Sequence, residues 1–215
     1  MTGRSTSERI LDTAEHLFAD HGFTATSMRR ITTEARVNLA AVNYHFGSKD
    51  KLIRAVFARR LEPLNRERLE LLTHAESGAE NEAIAVEHIV EAFIGPALRL
   101  KRVRGGEVFL RLLGHTMSQR EDRMRTLLTD QFSEVIERFT AALGRALPYL
   151  AADEVFWRLL FMVGAMAHTL ALSDKMPVFS HGICAAPDEA GTLRRLVPFL
   201  SAGLRAPAPS AEGAP

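Results

Sequence analysis

Asn43 is the side chain in this sequence with the most specific chemistry to offer. Its amide can donate to and accept from an adenine edge in one bidentate pair. It lies in Ser27 to Lys49, a stretch that reads as two short helices joined by a tight turn, the form of a DNA-reading helix-turn-helix. Met28, Ile31 and Ala35 recur at helical spacing and give the first helix one buried face. Asn38 is placed to cap the second helix by accepting from its free backbone N–H groups. With Val37, Val42 and Phe46 inward, Leu39, Ala40, Ala41, Asn43 and Tyr44 face outward. Such a face suits a major groove, where small side chains allow close approach and touch thymine methyls. Tyr44, the hydroxyls of Thr26 and Ser27, and Lys49 suit phosphate oxygens, which set register rather than sequence. The alternative is a plain helical hairpin with an apolar tip.

A second set of residues, toward the carboxyl end, could hold a ligand. Phe109, Leu112, Leu113, Met117, Leu128, Phe132, Phe156, Met162 and Met166 fall on helical segments, and flexible Met and aromatic surfaces adapt to long apolar ligands. Arg111, His115, Gln119 and Arg158 are the polar residues on these apolar stretches and the candidate anchors for a carboxylate. The same stripe could instead be core, with each Arg paired to a nearby acid. No Gly-x-Ser-x-Gly elbow, phosphate-cradling glycine loop or nucleotide fingerprint occurs, so no catalytic residue and no cofactor is expected. His181-x-x-Cys184 offers two metal ligands without a third or fourth, so no metal is expected and an incidental loop thiol is the simpler reading. A hydrolase built on Cys184 would need turnover that Cys184→Ala abolishes.

The elements that must position these residues are all helical. The chain has 215 residues, enough for a small domain plus a larger one. Aliphatics, Ala, Glu and Arg dominate and no region alternates with period two, which gives an all-α class with nine helices. Ser5 and Glu8 form a capping box for a first helix that Gly22 ends. Ser48 caps a fourth helix that contains Pro63, a candidate kink. Further helices are expected over 82–101, 108–119, 123–146, 153–172 and 188–204, with a loop from Ser173 to Pro187. The domains expected are 1–50 for DNA binding, 51–205 for ligand and dimerisation, and a disordered tail over 206–215.

Charge is uneven. Residues 1–60 hold ten Lys/Arg against six Asp/Glu, a net of +4, and the whole chain is +1, leaving −3 for the remainder. A basic end and a mildly acidic body fit attraction to phosphate. The lone Cys184 excludes an intrachain disulfide and suits a reducing compartment. No apolar leader and no run of about twenty apolar residues free of charge is found, so a cytoplasmic protein without a membrane span is expected.

Residues from about 8 to 57 resemble the DNA-binding domain of the TetR family of one-component regulators, through Phe18, Gly22, Phe23, Thr26, Ile31, Ala35, Val37, Tyr44, His45, Phe46, Ser48, Lys49 and Leu52. The resemblance adds His45 to the DNA-facing set. Two positions depart from the pattern. Arg36 stands where the family usually has Gly, and if the backbone is left-handed there it costs roughly 1–2 kcal/mol. Asn43 stands where the family usually has an aromatic. The string Val37 to Lys49, with Phe109 to Gly114, Phe156-Trp157-Arg158 and Val197 to Leu200, is similar to the PsrA-type branch, whose members respond to long-chain fatty acids. The resemblance implies a homodimer joined by its last two helices, a palindromic double-stranded operator, and repression relieved by a fatty acid or acyl-CoA. A non-lipid effector, or an architectural protein that binds any duplex, remains open at this point.

Overall fold

The structure, a computed structural model, describes residues 5–79, 83–118 and 122–208. Every regular element among them is helical, as the all-α reading expects. Nine helices have eight residues or more: α1 (Thr6–Ala25), α2 (Met28–Ala35), α3 (Leu39–Phe46), α4 (Lys49–Ser77), α5 (Val86–Arg102), α6 (Gly106–Ser118), α7 (Asp122–Ala146), α8 (Ala152–Leu172) and α10 (Glu189–Arg205). The loop expected between α8 and α10 contains a 3-10 turn (Ser173–Lys175) and a single-turn helix, α9 (Met176–Phe179). Of the expected tail, residues 209–215 lie outside the described residues. The chain forms two compact units, one of residues up to Leu64 together with Leu100–Phe132, the other of Asn65–Arg99 and everything from Ser133 onward. The expected boundary at residue 50 falls within the first of these units, in the opening turn of α4.

In the first unit, α1 opens with the expected capping box: the Ser5 hydroxyl accepts from the Glu8 N–H, and the Glu8 carboxylate accepts from the Ser5 N–H. Gly22 does not end this helix outright. At φ +75° and ψ 172° it breaks the helical run for one residue, after which the chain turns helical again as far as Ala25. Four rings run through the interior of this unit, Phe18 to Phe23 to Phe57 to Phe109, with successive centroids 5.2, 6.3 and 5.7 Å apart. They join α1, α4 and α6, and α6 packs along α1. Beside them the fully buried Glu15 carboxylate accepts from Arg59 and Arg60 of α4, while Arg59 also donates to Asp12. The hydrogen bonds to Glu15 hold the Arg60 guanidinium above its usual pKa even though burial pulls the other way. Gly105 closes over this cluster at φ +78°, where any side chain would run into Arg60 and Glu15.

In the second unit, Phe93 of α5 meets Phe139 of α7 edge-on, with centroids 5.0 Å apart. Both α4 and α5 carry through their internal prolines, Pro63 and Pro96, as single helices. α8 packs on α10 but leaves Phe156, Trp157, Leu160 and Phe161 more than half exposed, and Phe199 of α10 is 70% exposed. The stretch Ala152–Phe179 is long and apolar enough, by length and composition alone, to cross a membrane, though it is not free of charge. Its first turns nevertheless hold the Arg158–Glu154 ion pair, at 2.7 Å.

The turn between α2 and α3 answers the question posed by Arg36. The residue is left-handed at φ 53° and ψ 49°, and its N–H donates to the carbonyls of Thr32 and Thr33. Arg9 of α1 fastens the turn by donating to the Ala35 and Arg36 carbonyls at 2.6 and 2.8 Å. Arg36→Gly is expected to stabilise the chain by about 0.5–1 kcal/mol, the left-handed strain relieved less the backbone entropy that glycine adds to the unfolded chain. A higher midpoint of urea unfolding would show it; an unchanged or lower midpoint would mean that Arg9 already offsets the strain.

Candidate nucleic-acid interface and effector residues

Local capping builds the reading head. The Ser27 side chain accepts from the Arg30 N–H to start α2, Asn38 accepts from the Ala41 N–H at 2.7 Å to start α3, and Ser48 accepts from the Lys51 N–H to start α4. Gly47, at φ 71°, ends α3 by donating its N–H to the Asn43 carbonyl. Ile31, Ala35 and Val42 are buried against the head's interior, while Met28, Val37 and Phe46 are half-buried. This fixes the roll of α3. Leu39, Ala40, Asn43, Tyr44 and His45 are exposed along one side, Ala41 is half-buried at its edge, and Tyr44 reaches 87% exposure. Lys49 is half-buried at the start of α4, and the Ser27 hydroxyl is exposed and retains a proton to donate.

Thr26 is a correction. It is fully buried, and its hydroxyl donates to the carbonyls of Leu17 and Gly22, at 3.2 and 2.8 Å. It secures the re-entrant end of α1 and is not presented to a phosphate. The exposed Arg29 and Arg30, at the amino end of α2, were passed over in the sequence reading. Cationic residues just inside a helix start were the signal that could have found them, because the same N-terminus attracts phosphate.

The expected ligand-lining residues are distributed over both units. In the first, Phe109 and Leu112 are buried, and Leu113, Leu128 and Phe132 are half-buried. His115 and Met117 are exposed, and Arg111 is exposed in an ion pair with Asp20 of α1. Gln119 lies outside the described residues. In the second unit Met162 and Met166 are buried and Phe156 is exposed. Arg158 is buried but already committed: it donates to the Glu154 carboxylate and to the carbonyls of Leu204, Ala206 and Pro207, closing the end of α10. Arg111 and Arg158 each pair with an acid, the alternative that the sequence analysis set beside a role as carboxylate anchor. Arg68 of α4, which the sequence reading missed, is as buried as Arg158, and burial pushes its guanidinium down to about 9. Among the described residues no group of three or more His, Cys, Asp or Glu side chains is gathered as a metal site would need. Cys184 is exposed in the loop after α9.

Residues 10–56, which include the whole of the α2–turn–α3 unit, match the family "Bacterial regulatory proteins, tetR family", and residues 91–203 match "Tetracyclin repressor-like, C-terminal domain". The chain belongs to the TetR family. Among its relatives is the HTH-type transcriptional repressor Rv3405c of Mycobacterium tuberculosis, 32% identical over 163 residues, which span 74% of this chain and 75% of that one. The fold is shared with solved structures of lower identity. AmtR of Mycobacterium smegmatis aligns over 99% of this chain and 92% of its own, with a TM-score of 0.62 at 20% identity. The fatty acid degradation regulator FadR of Bacillus halodurans aligns over 95% and 99%, with a TM-score of 0.63 at 14% identity. As a TetR-family protein this chain is a DNA-binding transcriptional regulator, and the helix-turn-helix described above is its reading head.

Proposed function

We propose that this TetR-family regulator is a homodimeric repressor that reads a palindromic operator through α3 and is released by an apolar effector of the fatty-acid type. The observation that carries the DNA reading is the exposed side of α3, where one amide, Asn43, stands among apolar and aromatic residues with no protein surface over them. Asn43 reads a base, Leu39, Ala40 and Ala41 make the close approach, and Ser27, Tyr44, His45 and Lys49 hold the backbone. The exposed apolar residues of α8 and α10 pair with their twofold mates, and paired heads then address half-sites about one DNA turn apart. The lipid effector rests on the PsrA-like strings, and buried Met162 and Met166 of α8 are its proposed apolar surroundings.

Within the first unit a route from α6 to the head is built in. α6 packs on α1, Arg111 pairs with Asp20, and the ring series ends at Phe109, so a displaced α6 moves α1 and α4 together. For release, the effector must favour the DNA-incompetent state, each tenfold shift needing about 1.4 kcal/mol of differential affinity.

The test is fluorescence anisotropy on duplex from beside the protein's own gene against scrambled duplex, with lipid added. Specific binding that lipid releases supports the reading; specific binding indifferent to lipid removes the lipid effector. Equal affinity for any duplex would instead make this an architectural binder. In the same assay Asn43→Ala is expected to narrow the preference for operator over scrambled DNA by about 10–100-fold, the worth of one bidentate base contact. Lys49→Ala is expected to weaken both duplexes alike and reduce the slope of log K against log salt by about 1 per head. Full operator discrimination by the Asn43 variant would sink that assignment.

A further inference from the structure

Arg68 sits where three helices of the second unit converge, and among the described residues every acceptor it reaches is neutral. Its Nε donates to the Phe93 carbonyl of α5 at 2.8 Å, Nη1 to Oδ1 of Asn65 one turn earlier on α4 at 3.3 Å, and Nη2 to the thioether of Met166 on α8 at 3.7 Å. The Phe93 ring stacks under the guanidinium, 4.1 Å from its centre. A guanidinium has five N–H donors; the described residues supply three acceptors, one of them a weak sulfur. The side chain is 2% exposed, and no carboxylate among the described residues pairs with it. Arg158, the other buried arginine among them, has Glu154; Arg59 and Arg60 share Glu15. Removing a charge from water without a counter-ion is strongly unfavourable, and burial alone accounts for the fall of the Arg68 pKa to about 9. At neutral pH the group is still a cation.

We propose that Arg68 is the anion-binding centre of the effector site, taking the carboxylate of a free organic acid with an apolar body in preference to the ester or thioester of that acid. The proposal rests on the reading that this domain takes an apolar effector, and it selects between the two lipid forms left open above. A carboxylate satisfies the free donors of a guanidinium in bidentate fashion and supplies the missing negative charge. An ester or thioester offers a neutral carbonyl at the same position. The phosphates of an acyl-CoA are strongly hydrated and gain nothing from a cation walled by Phe93 and Met166. The apolar body of the acid has matching company there, since Phe93 in turn packs on Phe139.

The experiment is isothermal titration calorimetry of the full chain with palmitate, methyl palmitate and palmitoyl-CoA, each below its micelle concentration, on the wild type, Arg68→Met and Arg68→Lys. The wild type is expected to prefer the acid to its methyl ester by about thirtyfold, the order associated with charge-assisted hydrogen bonds. Arg68→Met should lose that preference, and Arg68→Lys should keep part of it, because the charge stays while the fork is lost. Without ligand, Arg68→Met should melt at or above the wild-type temperature, since an unpaired buried charge has been replaced by an apolar side chain of similar length; a purely structural arginine would show a fall. Binding of the ester or the thioester as tightly as the acid, or an acid preference that survives Arg68→Met, overturns the role of Arg68 while leaving the lipid reading in place. Failure of all three ligands to bind the wild type overturns both.

Discussion

Glu15→Gln is expected to lower the unfolding free energy by about 2–3 kcal/mol, a large share of what holds a domain of this size together. The Glu15 carboxylate is fully buried and accepts three hydrogen bonds, from Arg59 Nη2 at 2.8 Å and from Arg60 Nε and Nη2 at 3.0 and 2.9 Å. Gln is nearly isosteric but neutral, and its NH2 would face a guanidinium donor. Removing one partner of a buried pair costs about 3–5 kcal/mol when the orphaned charge is sealed from water. Arg59 retains Asp12 and both arginines keep some contact with solvent, which places the effect toward the lower end. Urea unfolding monitored by circular dichroism reads it directly. The companion double variant, Glu15→Gln with Arg60→Met, should recover part of the loss, because the orphaned guanidinium is gone. A single variant within about 0.5 kcal/mol of wild type would show that the cluster is solvated in solution and does not fasten α1 to α4.

Phe161→Asp is expected to have its effect on assembly and not on the fold of the protomer. The Phe161 side chain is 62% exposed and lies 6.0 Å, ring to ring, from the exposed Trp157. If the apolar side of α8 faces its twofold mate, the substitution is made twice in one interface. Loss of a central aromatic anchor costs on the order of 2 kcal/mol per copy, so the dimer dissociation constant should rise by about a thousandfold. Sedimentation equilibrium should then find monomer at micromolar concentration, with the helical far-ultraviolet dichroism spectrum of the folded protomer retained. Operator affinity should fall with it, since a single head engages only one half-site. A variant that sediments as the same oligomer would remove α8 from the interface.

The parts of the molecule that were readable from sequence are those whose causes are local. Asn38, Ser48 and the Ser5–Glu8 box act on N–H groups three residues away, so the pattern names both partners. The outward face of α3 followed from the buried Val42, with Val37 and Phe46 only half-covered at the margins. What was missed depends on partners distant in the chain. Thr26 looked like a surface hydroxyl because threonine usually is one; its acceptor Leu17 lies nine residues back and is reached only because Gly22 lets α1 fold over itself. Arg158 stands on an apolar stretch and was a candidate anchor for that reason, whereas Arg68 lies in the charged run Asn65-Arg66-Glu67-Arg68-Leu69-Glu70, where nothing in the sequence singles it out. The difference is that Arg158 finds Glu154 one turn away and the carbonyls at the end of α10, while the partners of Arg68 among the described residues are neutral groups on α4, α5 and α8. Pro63 marked a candidate kink within the fourth helix, and α4 carries it inside a single run of 29 residues.

The apolar side of α8 carries the chain's one tryptophan, 55% exposed in the isolated protomer. Its indole therefore emits from a wet, polarisable setting whenever that side is bare, and from a dry one whenever something covers it. Excited at the red edge, where its two tyrosines do not absorb, the chain thus has one intrinsic tryptophan probe on that surface. A shift of its emission toward the blue on concentrating the protein would report that coverage as a function of dose, in the same cuvette in which effector or duplex is added.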